Sequence, residues 1–205
     1  MTETRVYDPI ETYPTDAGPD PDPQPLATMA ECQAAEAHIL AAPRDNALIE
    51  TLCFRPDYGQ RHFPDELELT VDRGILGERW EKAAWLRLPD GAPDPRIQVS
   101  ILQRRVLDLC WRNRATTPHP GGTMIVDMNL GEENMPEGQR LAAGTAVLEV
   151  STKFNNACPK WKARNGVQSL AWLNRRENLQ HRFRGVLCKI VEDGVVRRDD
   201  VLRKL

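Results

Sequence analysis

Gly138-Gln-Arg-Leu-Ala-Ala-Gly-Thr-Ala-Val-Leu-Glu-Val150 reads as two short strands folded back on one another. Gly144 supplies the tight turn, with Leu141 on one side of it and the apolar run from Thr145 to Ser151 on the other. The same texture recurs in both directions along the chain. Upstream, Ala47 to Phe54 is a strand candidate, Glu66-Leu-Glu-Leu-Thr-Val71 alternates as a half-buried strand should, and Ile97 to Ile101 and Thr123 to Leu130 add two more. Downstream lie Gly185-Val-Leu-Cys-Lys-Ile-Val191, a hairpin signal at Asp193-Gly194, and Val195-Val196. About seven or eight strands linked by turns, with short helices inserted and no regular βαβ alternation, favour a mostly β, largely antiparallel barrel over a doubly wound sheet.

The remainder fits around that barrel. With 205 residues, 40% of them hydrophobic, the chain can bury one sizeable core. Residues 1–26 read as an extended, acidic, proline-rich tail, because the first 25 hold six prolines and six acids against Arg5. Residues 27–46 hold a short Ala-rich helix, opened by the capping box Thr28-Met-Ala-Glu31 and ending before Pro43. Residues 47–205 form the barrel domain, with a helical face from Leu102 to Trp111 that places Cys110 in the core. A net charge of −3 points to no partner by itself, yet it averages the acidic start with a basic third, in which residues 153–184 carry eight Lys or Arg against Glu177 alone. That third is where an anionic ligand is expected. Its tryptophans follow no RNA- or DNA-binding motif, so nucleic acid is not the expected partner.

Just beyond the opening hairpin comes Asn155-Asn156-Ala157-Cys158-Pro159-Lys160-Trp161-Lys162-Ala163-Arg164-Asn165-Gly166. Pro159 suits the first position of a helix and Gly166 a stop about two turns later, so Cys158 falls at the N-cap. Unpaired N–H groups, the helix dipole and the cations Lys160, Lys162 and Arg164 favour a thiolate there. Such a sulfur is a nucleophile, a sulfur carrier or a soft metal ligand; a small buried apolar residue is the bland alternative, set against a conspicuously polar setting. The five cysteines (32, 53, 110, 158 and 188) form no Cys-x-x-Cys pair, which speaks against a zinc site and for free thiols in a reducing cytosol. Cys188 sits in an apolar strand and belongs to the core. None of the four histidines is spaced with another as a metal pair, and surface roles are expected for them. No basic leader precedes an apolar stretch and no run is long enough to cross a bilayer, so a cytoplasmic, membrane-free protein is expected.

The ordered set Gly74-Ile-Leu-Gly77, Gln98 to Leu107, Asn129-Leu130, Gly138 to Val150, Cys158 with Arg164-x-Gly166, and Arg184-Gly185-Val186 through Gly194-Val-Val-Arg197 to Asp200 resembles a MOSC domain. MOSC is named for the C-terminal part of molybdenum cofactor sulfurases, and the likeness is to the small stand-alone bacterial type over residues 47–205. The resemblance implies a MOSC-type β-barrel in which Cys158 carries sulfur or ligates the molybdenum of a pterin cofactor. It further implies that Lys160, Arg164 and Arg184 meet the cofactor's phosphate, and that Asn129 lines the same pocket or caps a turn. Relatives in the amidoxime-reducing group reduce N-hydroxylated compounds. The expected function is therefore a molybdenum-cofactor-dependent oxidoreductase acting on a small molecule with electrons from a separate reductase. The alternatives are a sulfur carrier or cofactor handler using a Cys158 persulfide, served by a separate sulfurase, and a non-catalytic anion-binding module. Pyridoxal phosphate is not expected on this chain, whose first 46 residues are too short for a desulfurase domain. The sequence departs from the family pattern at Glu78, where Asp is common, at Asp199, where Gly usually precedes the final Asp, and before Cys158, where the common Arg-x-Pro is missing.

Overall fold

The computed structural model describes residues 24–205 together with the backbone of a two-residue strand, Thr4–Arg5. Of the extended tail expected over residues 1–26, residues 1–3 and 6–23 lie outside the described residues. In chain order the elements are β1 (Thr4–Arg5), α1 (Met29–Leu40), β2 (Ala47–Leu52), β3 (Glu66–Thr70), β4 (Gly74–Ile75), α2 (Trp80–Ala83), β5 (Leu86–Arg87), β6 (Val99–Gln103), α3 (Arg104–Cys110), β7 (Met124–Val126), β8 (Arg140–Ala143), β9 (Ala146–Val150), α4 (Pro159–Leu173), β10 (Val186–Glu192), β11 (Gly194–Arg197) and β12 (Val201–Lys204).

Seven strands close into a barrel in the order β10-β6-β7-β2-β12-β8-β9, with β9 pairing back onto β10. Every pairing in it is antiparallel except β6 with β7. The fold is thus mostly β with short helices inserted. The hairpin at Gly144 forms as the sequence suggests, with Ala143 opposite Ala146. Its glycine has φ +60, and a Cβ there would lie 2.2 Å from the Val195 carbonyl oxygen, so the turn tolerates no side chain.

The Asp193-Gly194 signal resolves differently. β10 and β11 do not pair; β10 stays in the barrel, while β11 leaves it to join β3 and β4 in a separate three-stranded sheet. Asp193 serves this departure by accepting a hydrogen bond from the Val71 N–H at 2.8 Å. An Asp-Gly pair fixes a tight reversal, but the partner of each arm is decided by the apolar surface it meets, and Val196 is fully buried against the barrel core. A few residues later Asp199 adopts φ +70, a left-handed conformation at the position where the family pattern has glycine.

Two large apolar layers result, beside a smaller cluster of Trp80, Ala84, Leu86, Ile97 and Leu187. The first fills the barrel, with Ile49, Ile101, Met124, Leu148, Cys188 and Leu202 sealed inside it. The second lies outside, where α1, α3 and α4 cover the barrel wall around Leu102 and Ile125 and bury Cys32, Ile39, Cys110 and Trp172. α1 begins with the expected capping box, Thr28 and Glu31 reciprocally bonded, and ends at Leu40, slightly short of the Ala42 read from sequence. It is tied down by the Trp172 indole N–H donating to Glu36 at 2.7 Å and by Gln103 donating to the Ile39 carbonyl at 2.8 Å. Among the described residues no helix is long and apolar enough to cross a membrane.

Candidate functional site

β9 leaves the barrel at Val150, and the following loop is stitched back by the Ser151 N–H donating to the Leu187 carbonyl at 2.9 Å and by Asn155 donating to the Arg184 carbonyl at 3.1 Å. That loop delivers Cys158 to the N-cap of α4, with extended backbone (φ −123, ψ 176) and Pro159 in the first turn. The Cys158 carbonyl accepts from the Trp161 and Lys162 N–H groups, while its side chain makes no capping bond and is exposed. The bland reading of Cys158 as a buried apolar residue is therefore excluded. The other four cysteines are buried, and burial pushes the Cys53 thiol up to about 11 and the Cys188 thiol up to about 12.

Gly166 does not stop the helix but breaks it. Its φ of +87 and ψ of 165 lie outside helical space, so residues 159–165 and the run after Gly166 are two helical pieces at an angle. Trp161, almost fully buried, bridges the break by donating its indole N–H to the Ser169 hydroxyl at 3.0 Å, and that hydroxyl donates to the Asn165 carbonyl at 2.7 Å. The first piece thereby presents Cys158, Lys160 and Arg164 to a cavity of about 430 Å³. Arg184 joins them from the residue before Gly185, its guanidinium 5.1 Å from the Trp161 ring centroid. Gly185 has φ +92 and a Cβ there would stand 2.1 Å from the Ile101 carbonyl oxygen, which fixes the approach of this segment to β6.

A second cationic group reaches the cavity from the other end of the sequence. Arg55 follows β2, Arg61 lies in the next loop and Arg79 directly precedes α2. Glu78 holds Arg55 by accepting from its backbone N–H at 2.6 Å and pairing with its Nε at 3.3 Å. Arg79 donates its backbone N–H to the Arg55 carbonyl at 2.9 Å and stacks on Tyr58, and Arg61 donates from Nε to the His119 carbonyl at 2.8 Å. Trp85, Ile97 and Leu187 supply apolar walls.

The electrostatics follow from this crowding. His119 is buried, contrary to the surface role expected of it, and is wedged between Phe63 and Trp111 at ring-centroid distances of 5.1 and 5.3 Å. Burial first, then the charges of Arg61, Arg55, Arg164 and Arg184, pull it down to about 3, so the imidazole is neutral at physiological pH. Its Nδ1 accepts from the Gly121 N–H at 3.1 Å, which places the ring proton on Nε2. Burial likewise lowers Arg184 to about 10, opposed by the nearby Cys158 and reinforced by Arg164 and Arg55. Buried polar atoms in the cavity wall without a hydrogen-bond partner among the described residues include Arg184 Nε and Asn165 Oδ1. No three His, Cys, Asp or Glu side chains among the described residues come together as a metal site.

No family model matches the sequence, and no curated protein matches it. Solved structures do share the architecture. The YuaD protein from Bacillus subtilis superposes with a TM-score of 0.54 over 77% of this chain and 94% of its own at 17% identity, and YiiM from Escherichia coli with 0.51 over 77% and 69% at 19%. A third crystal structure, described as that of a hypothetical protein, gives 0.55 over 78% and 69% at 20%. The fold is MOSC-like. Identities this low speak for the fold alone.

On the MOSC-like barrel, Cys158, Lys160, Arg164 and Arg184 come together at one cavity, and Asn129 does not. Asn129 caps a turn, accepting from the Gly131 N–H at 2.9 Å and donating to the Leu40 carbonyl at 2.8 Å, so it fastens the end of α1 to the barrel. Sequence reasoning gave no site role to Arg55, Arg61 or Arg79 and expected His119 at the surface. The one available signal was the glycine-rich loop before Trp80: Gly77, at φ +86, packs under Phe54 and brings Glu78 and Arg79 against the Arg55 backbone.

Proposed function

We propose that this MOSC-like protein binds a molybdenum pterin cofactor and reduces N-hydroxylated or related small molecules with electrons from a separate reductase. The observation that carries the reading is an exposed thiol at the mouth of a cavity lined by six Lys and Arg side chains. Cys158 would ligate the metal, a soft sulfur donor suiting a high-valent centre, and Lys160, Arg164 and Arg184 would hold the phosphate. The orphaned Arg184 Nε and Asn165 Oδ1 fit a ligand with both acceptor and donor groups, as a phosphorylated pterin has. Bound in this way, the metal supplies two-electron transfer to the substrate. The chain's own residues orient and shield: Trp85, Leu187 and Trp161 exclude water from the inner wall, and the arginines raise the local positive potential.

A second reading, a Cys158 persulfide carrier served by a separate sulfurase, is favoured by the exposure of that sulfur alone among the five cysteines. Metal analysis of protein made in cells that synthesise the cofactor, wild type against Cys158→Ser, separates the two. Stoichiometric molybdenum that disappears in a folded Cys158→Ser is the expected result. A persulfide on metal-free wild type transfers the assignment to the carrier, and neither species on a folded protein leaves an anion-binding module.

A further inference from the structure

A second cavity, of about 240 Å³, is walled by β2, α3 and the loop that follows α3, and it shares no lining residue with the cavity at Cys158. The two meet at one turn: Pro120 and Gly121 line the first, and His119 lines the second. His119 is the group to explain. It is 6% exposed, and its Nδ1 accepts from the Gly121 N–H at 3.1 Å, which leaves the ring proton on Nε2. That buried Nε2 has no hydrogen-bond partner among the described residues. A buried donor without an acceptor has given up its water and gained nothing, so an acceptor brought into the cavity would form a bond that costs little further desolvation.

The charged groups around this cavity are already matched. Arg104 pairs with Glu50 at 2.8 Å, Asp127 at 2.9 Å and Asp108 at 3.1 Å, and Arg114 pairs with Asp108. An anion would shed its hydration here against guanidinium groups that carboxylates hold, with Glu50 itself in the wall. A neutral ligand meets no such penalty. The rest of the lining is apolar, with Leu107 and Ile125 buried and the rings of Trp111 and Phe63 flanking His119 edge-on. Phe63 is 55% exposed, so a flat ligand against it would cover apolar surface that now faces water. The volume lies below the range of about 300–1,000 Å³ usual for drug-sized ligands and suits a single ring.

We propose that this second cavity binds a neutral one-ring molecule carrying a carbonyl, of the aromatic carboxamide class, whose oxygen accepts a hydrogen bond from His119 Nε2. The site is independent of the cofactor reading and of Cys158.

The test follows the His119 Nε2–H signal by NMR in the full chain with isotope-labelled histidine, near neutral pH, during titration with benzamide, benzoate and toluene. Benzamide is expected to shift the signal in a saturable way. Toluene, which has the ring without the acceptor, and benzoate, which is charged, should each bind about tenfold or more weakly at this signal. Thr51→Tyr, at a half-buried position in the cavity wall, should fill the space and weaken benzamide about tenfold or more, while Cys158→Ser should leave it unchanged. A signal that benzamide leaves unmoved overturns the proposal, because the proton would then be held by the face of Phe63 or Trp111. Toluene binding as tightly as benzamide overturns it by showing a merely apolar hole, and benzoate binding as tightly overturns the neutral ligand class. A benzamide response lost in folded Cys158→Ser, or kept in folded Thr51→Tyr, also overturns it, since the ligand would then lie elsewhere.

Discussion

His119 shows how one residue's chemistry is set by neighbours far away in sequence. Its ordinary value of 6.5 falls to about 3 in the folded protein, because burial and four arginines all oppose a charge on the ring. The unfolded chain therefore takes up a proton below about pH 6.5 that the folded chain refuses, and this contribution to stability is full above that pH and shrinks as pH falls toward 3. The slope approaches about 1.4 kcal/mol per pH unit for a single group. His119→Gln keeps an acceptor for the Gly121 N–H and removes the titration. Between pH 7 and pH 5 wild type should lose about 2 kcal/mol more than His119→Gln does, read from urea unfolding at the two pH values. Equal losses would show that His119 titrates alike in both states. Reading the sequence placed His119 in a proline-flanked loop and expected it at the surface, because no local feature reports the Phe63, Trp111 and arginine side chains that enclose it.

Among the elements, α4 carries the site, and its break at Gly166 sets the direction in which the first piece points. The φ and ψ of this residue fall where essentially only glycine is stable, and a Cβ would stand 3.0 Å from Leu26 Cδ1. Gly166→Ala is expected to cost about 1–3 kcal/mol of stability, seen as a lower urea midpoint with an unchanged slope. A loss near zero would mean that the angle between the two pieces is held by packing alone. The pattern Cys-Pro at the start of α4 was legible because capping is local chemistry. Whether Gly166 ended the helix or bent it was not, since the continuation depends on Trp161, Ser169 and Trp172 finding the surface beneath α1.

For the molecule as a whole, the two apolar layers make the helices part of the stability of the barrel. Ile39 on α1 is 1% exposed and lies wholly in the outer layer. Ile39→Ala should destabilise the chain by about 2–5 kcal/mol in a single cooperative transition, although the residue belongs to the outer cluster and not to the one inside the barrel. A separate early transition confined to the helices would show that the layers unfold independently. By itself, the sequence determined the barrel strands, the Gly144 hairpin, the capping box of α1 and the N-cap position of Cys158, because alternation, turn chemistry and capping act between residues a few positions apart. It also placed Lys160 and Arg164 near that sulfur, since they share its helix. Only the tertiary structure decided that β11 abandons β10 for β3, that Asn129 fastens α1, and that Arg55, Arg61 and Arg79 face the same cavity as Cys158. Those outcomes depend on which buried surfaces meet when a closed barrel brings distant loops to one rim, and no short-range rule contains that information.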